Sequence, residues 1–386
     1  MDWKTVAALL AAYGLLKEFR PSDWPCSVLF LVSDWKRYKP IVVREPQRHR
    51  TYSIPRGHWV PPQKVAFANL SLHTKRLSEA FMEVLYGLMW AADVAYFTYM
   101  YAKVDRAHYG TVSATARVGY LLGRFGSGLL SQLAVSLNFL SLQGLQFVTL
   151  GSAVVATAFA MALPAVSTSF YFQEGHEADS GNRRWESNPR HDPRTELPAV
   201  YDAVASYCQI LWQDTIDGNK SDETLWNGAV EAAYTLLGAG AVWLTTRKTD
   251  YSAWGDALVG MWSLASGAVI ALAADSRSMA VQYAVYVAFG TTYHATITIA
   301  SSEVAKRVRE DAHALIFGVN TLGAYLLQTA LTVAVAGQGG LELPIRDQFV
   351  IYGGYFLVIG AAFLAVALAG VVARCRGSRR LNVSSA

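Results

Sequence analysis

Charge is scarce in this 386-residue chain: Asp, Glu, Lys and Arg together make up 16% of it, against about 25% in an ordinary soluble domain. With 53% hydrophobic residues beside that deficit, the composition excludes a soluble globular enzyme and predicts a multi-span membrane protein. Cysteine is nearly absent. Cys26, Cys208 and Cys375 are odd in number and widely spaced, which fits neither a disulfide framework nor a metal site. A basic stripe is lacking too: the net charge is only +4, and the cationic residues fall in short loops, so no nucleic-acid partner is expected. A cleavable signal peptide is not expected, because the first apolar segment, Val6 to Leu16, runs directly into Lys17-Glu-Phe-Arg-Pro21 without a small-residue cleavage site. With no nucleophile–base arrangement, metal-ligand cluster or nucleotide loop in the pattern, neither an enzyme nor a cofactor is expected.

What the chain has in abundance is long apolar runs. Against a requirement of about 20 residues per span, strong helices are predicted near 79–102, 112–136, 143–163, 227–246, 255–274, 278–301, 312–336 and 348–373. Shorter candidates lie at 3–19, 26–35 and 198–213. Basic clusters at Lys36 to Arg50, Lys103 and Arg106, Arg183 to Arg194, Arg247 and Lys248, Lys306 to Arg309 and Arg374 to Arg380 mark the cytoplasmic side by the positive-inside rule. The acidic stretch Asp214 to Glu223, with the acceptor triplet Asn219-Lys220-Ser221, is expected outside and would make the protein a glycoprotein. Residues 51–78 should cross once to keep this alternation. Pro55, Pro61, Pro62, Arg56, Lys64, Lys75 and Arg76 leave no window there that approaches a span. The organisation predicted is an N-terminal helical half over 1–172, a polar cytoplasmic loop over 173–197, a C-terminal half over 198–373 and a cytoplasmic tail over 374–386.

Within this apolar background one carboxylate stands out. Asp93 lies in the middle of the run from Leu85 to Tyr101, where a charged group costs about 2.5–3.5 kcal/mol and generally marks a substrate or ion path or a structural ion pair. Tyr86, Trp90, Tyr96, Phe97 and Met100 share its helical face by spacing. Arg124 lies deep in the next predicted helix, about 22 Å from its start, and is a candidate partner for Asp93. Gly119, Gly123 and Gly126 around it read as close-packing positions, since no strand precedes them to make a phosphate loop. His294 is open to two readings, a proton-coupling group or a packing residue.

Specific motifs go further. Phe19-Arg-Pro-Ser22, Ser33-Asp-Trp-Lys-Arg-Tyr-Lys-Pro40, Asp93-Val-Ala-Tyr-Phe-Thr-Tyr-Met-Tyr101, Gln209-Ile-Leu-Trp212, Asn227-Gly-Ala-Val-Glu-Ala232, Phe317-Gly-Val-Asn-Thr321 and Leu343-Pro-Ile-Arg-Asp-Gln-Phe349 resemble the folate and thiamine carriers of the reduced folate carrier family. The resemblance implies an all-α membrane protein: a two-half bundle like that of the major facilitator superfamily, with about 10–12 transmembrane helices, working by alternating access. Where family members have a substantial segment, Pro25 is followed almost directly by Cys26-Ser-Val-Leu-Phe-Leu31. The second helix is therefore expected to be incomplete, and so is the third, replaced by polar residues 44–78.

The resemblance also bears on cargo. The folate carriers place cationic side chains in the fourth, tenth and eleventh helices, and the matching positions here are Asp93, Gly290 and Gln328. The thiamine transporters are similar to this chain in carrying an acidic residue and a glutamine at the first and last of these. A plasma-membrane carrier of thiamine or a related organic cation is therefore expected, with a vitamin and the lipid bilayer as partners. The alternatives are a reduced-folate-type anion exchanger using Arg124, or a truncated form that has lost transport. The expected substrate-binding residues are Asp93, Tyr96, Tyr86, Asn227, Glu231, Asn320, Gln328 and Tyr293. Asp34, Arg37 and Lys39 resemble the superfamily's gating signature.

Overall fold

The computed structural model describes residues 2–21, 84, 87–88, 91–101, 103–137, 139–163, 197–219, 226–245, 251, 255–307, 313–336 and 340–384. The expected second and third helices, the gating residues Asp34, Arg37 and Lys39, Tyr86 and Trp90, and nearly all of the 173–197 loop lie outside them. The described elements are helices. They are α1 (Trp3–Glu18), α2 (91–101), α3 (Tyr109–Leu137, entered through the short turn Arg106–His108), α4 (Leu142–Met161), α5 (Leu197–Asn219), α6 (Asn227–Thr245), α7 (Gly255–Asp275), α8 (Met279–Arg307), α9 (His313–Ala336) and α10 (Ile345–Ser384).

Among the described residues four stretches are long and apolar enough to cross a membrane by length and composition alone: Gly144–Met161, Gly255–Asp275, Leu315–Ala336 and Ile345–Val372. Their outer faces are greasy, with Phe147, Leu150 and Val154 on α4, Leu315, Val319 and Leu322 on α9, and Val358 and Val366 on α10 all exposed, as a lipid-facing surface requires. Helices α3, α6 and α8 are also long, α3 and α8 running 29 residues each. Their hydropathy is diluted by polar groups turned inward, among them Arg124, Glu231 and His294. The bundle keeps these groups away from lipid, where an unpaired charge is most costly.

Several boundaries depart from expectation for identifiable reasons. Helix α5 does not stop at 213 but continues to Asn219, because Asp214, expected in an exposed acidic loop, is held by Arg346 Nε at 2.9 Å while Arg346 Nη2 donates to Thr215 Oγ1 at 2.8 Å. Arg346 Nη1 also donates to the carbonyls of Ala274 and Ser276 at 2.8 and 2.9 Å. One guanidinium thus ties the ends of α5, α7 and α10 together. Helix α10 runs through the basic Arg374–Arg380 stretch to Ser384, so the tail expected from 374 begins as a continuation of the last helix.

Close packing rests on glycine where helices touch backbone to backbone. A Cβ on Gly119 would overlap the backbone of Ala11, and one on Gly123 the carbonyl of Leu15, so α3 lies against α1 at a separation only glycine permits. Gly126 meets the Phe19 ring in the same row. Between the two sets of helices, Gly128 on α3 and Gly228 on α6 meet in the same way: a Cβ on either would come within 2.8 Å of the other's carbonyl oxygen.

One turn from that contact, α3 and α6 are joined by charge. Arg124 donates from Nε (3.1 Å) and Nη2 (2.6 Å) to Glu231 Oε1. The carboxylate also accepts from Tyr234 at 2.7 Å and Tyr286 at 3.4 Å, and Arg124 Nη1 donates to the Tyr120 hydroxyl at 3.0 Å. The expected pairing of Arg124 with Asp93 is therefore corrected: Glu231 takes the guanidinium, and Asp93 is paired with Lys17 of α1.

Two outcomes follow. Gly123→Val should lower the thermal midpoint of detergent-solubilised protein by the equivalent of about 1–3 kcal/mol, whereas Gly151→Val, with nothing within 4 Å of its added Cβ, should fall within about 0.5 kcal/mol of wild type. Glu231→Gln should destabilise by about 3 kcal/mol, because it strands a guanidinium. The double substitution Arg124→Gln with Glu231→Gln should recover at least half of that loss in the same melting assay. Equal melting of the single and double variants would show that the pair is not coupled.

Candidate functional site

A cavity of about 230 Å³ opens between the two sets of helices. Its walls follow helical periodicity. Asp93, Phe97 and Met100 come from one face of α2, and Ser113, Arg117, Tyr120 and Arg124 from one face of α3, at spacings of three and four residues. Tyr201 and Asp202 enter from α5, Tyr293, His294, Ile297 and Ser301 from α8, and Phe317, Asn320, Ala324 and Tyr325 from α9. The lining is rich in rings with a few charged groups among them, the usual make-up of a small-molecule site.

The aromatic wall is ordered by stacking. Tyr201 and Tyr293 lie face to face with centroids 3.6 Å apart and planes within 5°. His294 is parallel to Tyr234 at 5.9 Å and edge-on to Tyr201 at 5.7 Å. It is 3% exposed, and neither of its ring nitrogens has a hydrogen-bond partner among the described residues. At the far end of α2, Tyr101 stacks on Phe317 of α9 at 5.8 Å and 15°. Tyr101 also shares a hydrogen bond with Ser113 and accepts one at its backbone carbonyl from Tyr109.

The charges divide into committed and uncommitted. Asp93 is engaged by Lys17, with side-chain exposures of 13% and 12%. Arg124 is engaged by Glu231. The Arg117 guanidinium lies over the Phe97 ring at 4.6 Å and the Tyr120 ring at 5.6 Å, and has no carboxylate partner among the described residues. Asp202, half-buried on the opposite wall, has neither an ion-pair nor a hydrogen-bond partner among the described residues. Among the described residues the cavity therefore presents one cation and one anion without an ion-pair partner, Asp202 feeling only the longer-range charge of Arg124. Such groups inside a membrane bundle are expected to meet a ligand, an ion or water.

The expected site residues are distributed unevenly. The structure brings Asp93, Tyr293 and Asn320 together on the cavity wall. Tyr96 points elsewhere: its hydroxyl donates to the Leu10 carbonyl at 2.8 Å and its ring packs on Tyr13 at 5.1 Å, fastening α2 to α1. Glu231 is the buried partner of Arg124, behind the wall. Asn227 is 7% exposed, and among the described residues both of its side-chain polar atoms and the Oε1 of Gln328 have no hydrogen-bond partner, but neither residue lines the cavity. Sequence reasoning missed Asp202, Arg117, Tyr120 and Tyr201. The α3 spacing of 113, 117, 120 and 124 was the available signal for two of them.

Comparison with known proteins gives these walls a context. The reduced folate carrier profile matches residues 25–199 and 197–351. Thiamine transporter 1 of Mus musculus is 28% identical over 471 aligned positions, covering 97% of this chain and 91% of the relative. Folate transporter 1 of Caenorhabditis elegans is 28% identical over 433 positions, covering 94% and 92%. Both alignments are longer than the 386-residue chain, so parts of each relative have no counterpart here. Among solved structures, the human organic anion transporter MFSD10 superposes with a TM-score of 0.56 at 15% identity, over 93% of this chain and 82% of that one. The fold is thus that of a major facilitator-type helical bundle, and with its profile matched along most of its length the chain belongs to the reduced folate carrier family.

Proposed function

We propose that this chain is a plasma-membrane carrier that moves a thiamine-like organic cation by alternating access, with no catalytic step. The observation that carries this reading is Asp202, an uncommitted carboxylate set beside the stacked Tyr201 and Tyr293 rings in the central cavity. A carboxylate there can accept hydrogen bonds from an aminopyrimidine and offset a cationic ring, while the tyrosine faces add cation–π attraction of roughly 0.5–2 kcal/mol. Asp93, Tyr293 and Asn320 complete the proposed contact set. The similarity to thiamine transporter 1 supports the same cargo class.

The dianionic-folate reading is weaker on charge. Arg124, its proposed cation, already serves Glu231. Asp93, Gly290 and Gln328 leave the three positions where the folate carriers hold cations without positive charge.

Expression in a thiamine-uptake-deficient cell, with surface delivery checked in parallel, should give saturable uptake of labelled thiamine and none of labelled reduced folate. Asp202→Asn should lower thiamine uptake at least about tenfold, the effect of losing one charge-assisted contact. Unchanged thiamine uptake by Asp202→Asn at normal surface level would refute the anchor, saturable folate uptake would refute the cargo, and a normally delivered wild-type chain that moves neither would be a carrier that has lost transport.

A further inference from the structure

The thiamine reading uses one of the two uncommitted charges in the cavity and leaves Arg117 unexplained. A guanidinium on a cavity wall inside a bundle, without a carboxylate among the described residues, is stabilised only in part by ring faces at 4.6 and 5.6 Å, because cation–π contact does not replace an anion. Among the described residues the buried carboxylates of the bundle are otherwise placed, Glu18 with Lys17 and Arg20. Glu231 is taken by Arg124, Asp93 by Lys17, and Asp202 makes no ion pair with Arg117. Arg117 belongs to α3 and Asp202 to α5, so the two unmatched charges sit on opposite sets of helices and face one shared space.

We infer that the preferred ligand is bipolar: an organic cation that carries an anionic group on the same molecule, its cationic ring at Asp202 and its phosphate or carboxylate at Arg117. This rests on the organic-cation reading and narrows its substrate class. A phosphate monoester fits the second position, since it carries a charge of about −1.5 to −2 at neutral pH and several strong acceptor oxygens, matched to a planar guanidinium fork. Such a ligand neutralises both walls at once and contacts both sets of helices. A simple cation leaves Arg117 unmatched.

The test is displacement of labelled thiamine from the purified full-length protein by thiamine, by thiamine monophosphate and by reduced folate, for wild type, Arg117→Gln and Arg117→Lys. The monophosphate should displace at lower concentration than thiamine in the wild type. Arg117→Gln should shrink the ester-to-thiamine affinity ratio by about 10–100-fold, the range of one charge-assisted contact, and Arg117→Lys should restore part of it. Because the ratio is taken within each variant, the fraction of correctly folded protein cancels. A wild type that prefers the unphosphorylated cation, or a ratio unchanged in Arg117→Gln, overturns the assignment while leaving the cation reading standing. Recovery of thiamine binding in the charge-swapped double variant Arg117→Asp with Asp202→Arg also overturns it, by showing that the two residues pair with each other. Absence of labelled-thiamine binding to the wild type, or tighter binding of reduced folate, sinks the cation reading and this inference together.

Discussion

A guanidinium and a carboxylate stripped of most of their water, one on α3 and the other on α6, set the terms for the rest of the molecule. Bringing Arg124 and Glu231 out of water is tolerable only when nearly every donor and acceptor is met. Here two guanidinium nitrogens and the Tyr234 and Tyr286 hydroxyls converge on one carboxylate, while Tyr120 receives the third nitrogen. Fixing those hydroxyls also fixes the rings that carry them. Tyr234 holds the plane on which His294 stacks, and Tyr120 lies beneath Arg117. The aromatic wall of the cavity is thus anchored by a polar network whose carboxylate, Glu231, lies behind it while Tyr120 and Arg124 reach the wall itself.

The same network explains why the two sets of helices can approach so closely beside a hollow. Gly128 and Gly228 meet one turn beyond Arg124 and one turn before Glu231, so backbone contact and ion pair reinforce each other along a single α3–α6 seam. At the other end of the cavity the joining contact is of another kind, the Tyr101 ring stacked on Phe317. An aromatic pair contributes about 0.5–1.5 kcal/mol beyond its buried area, and both rings are themselves part of the cavity lining. Of the two closures, the stack is the one that side-chain rotation alone can open.

Much of the fold is legible in the sequence because a bilayer imposes one simple demand, a run of about 20 apolar residues for each crossing. Helices α4, α7, α9 and α10 satisfy it by composition. Helices α3, α6 and α8 are legible too, although their buried polar groups dilute the signal. What sequence does not contain is partnership across distance. Asp93 is conspicuous because it interrupts an unbroken apolar run, yet nothing local says that Lys17 neutralises it. Arg124 is conspicuous for the same reason, and its partner lies 107 positions away. Asp202 escapes notice because its run is short and begins just after Pro198, so a carboxylate there looks like a helix end and not like an intramembrane charge. Tyr96 shows the opposite error: its spacing from Asp93 is right for a shared face, but a hydrogen bond to Leu10, 86 positions earlier, turns it toward α1.

Charge inside a membrane cavity is best read by subtraction, and the order of subtraction decides between the two carboxylates. A cation arriving at Asp93 must displace the Lys17 ammonium, which then keeps only the Glu18 carboxylate at 3.8 Å, itself shared with Arg20. A cation arriving at Asp202 breaks no ion pair among the described residues. With equal contact chemistry on offer, the second encounter avoids breaking an ion pair, which weighs more in a low-dielectric setting than in water. On the proposed reading Asp202 is therefore the primary anchor for the cationic ring, and Asp93, half of an ion pair that ties α2 to α1, joins the contact set as a wall residue.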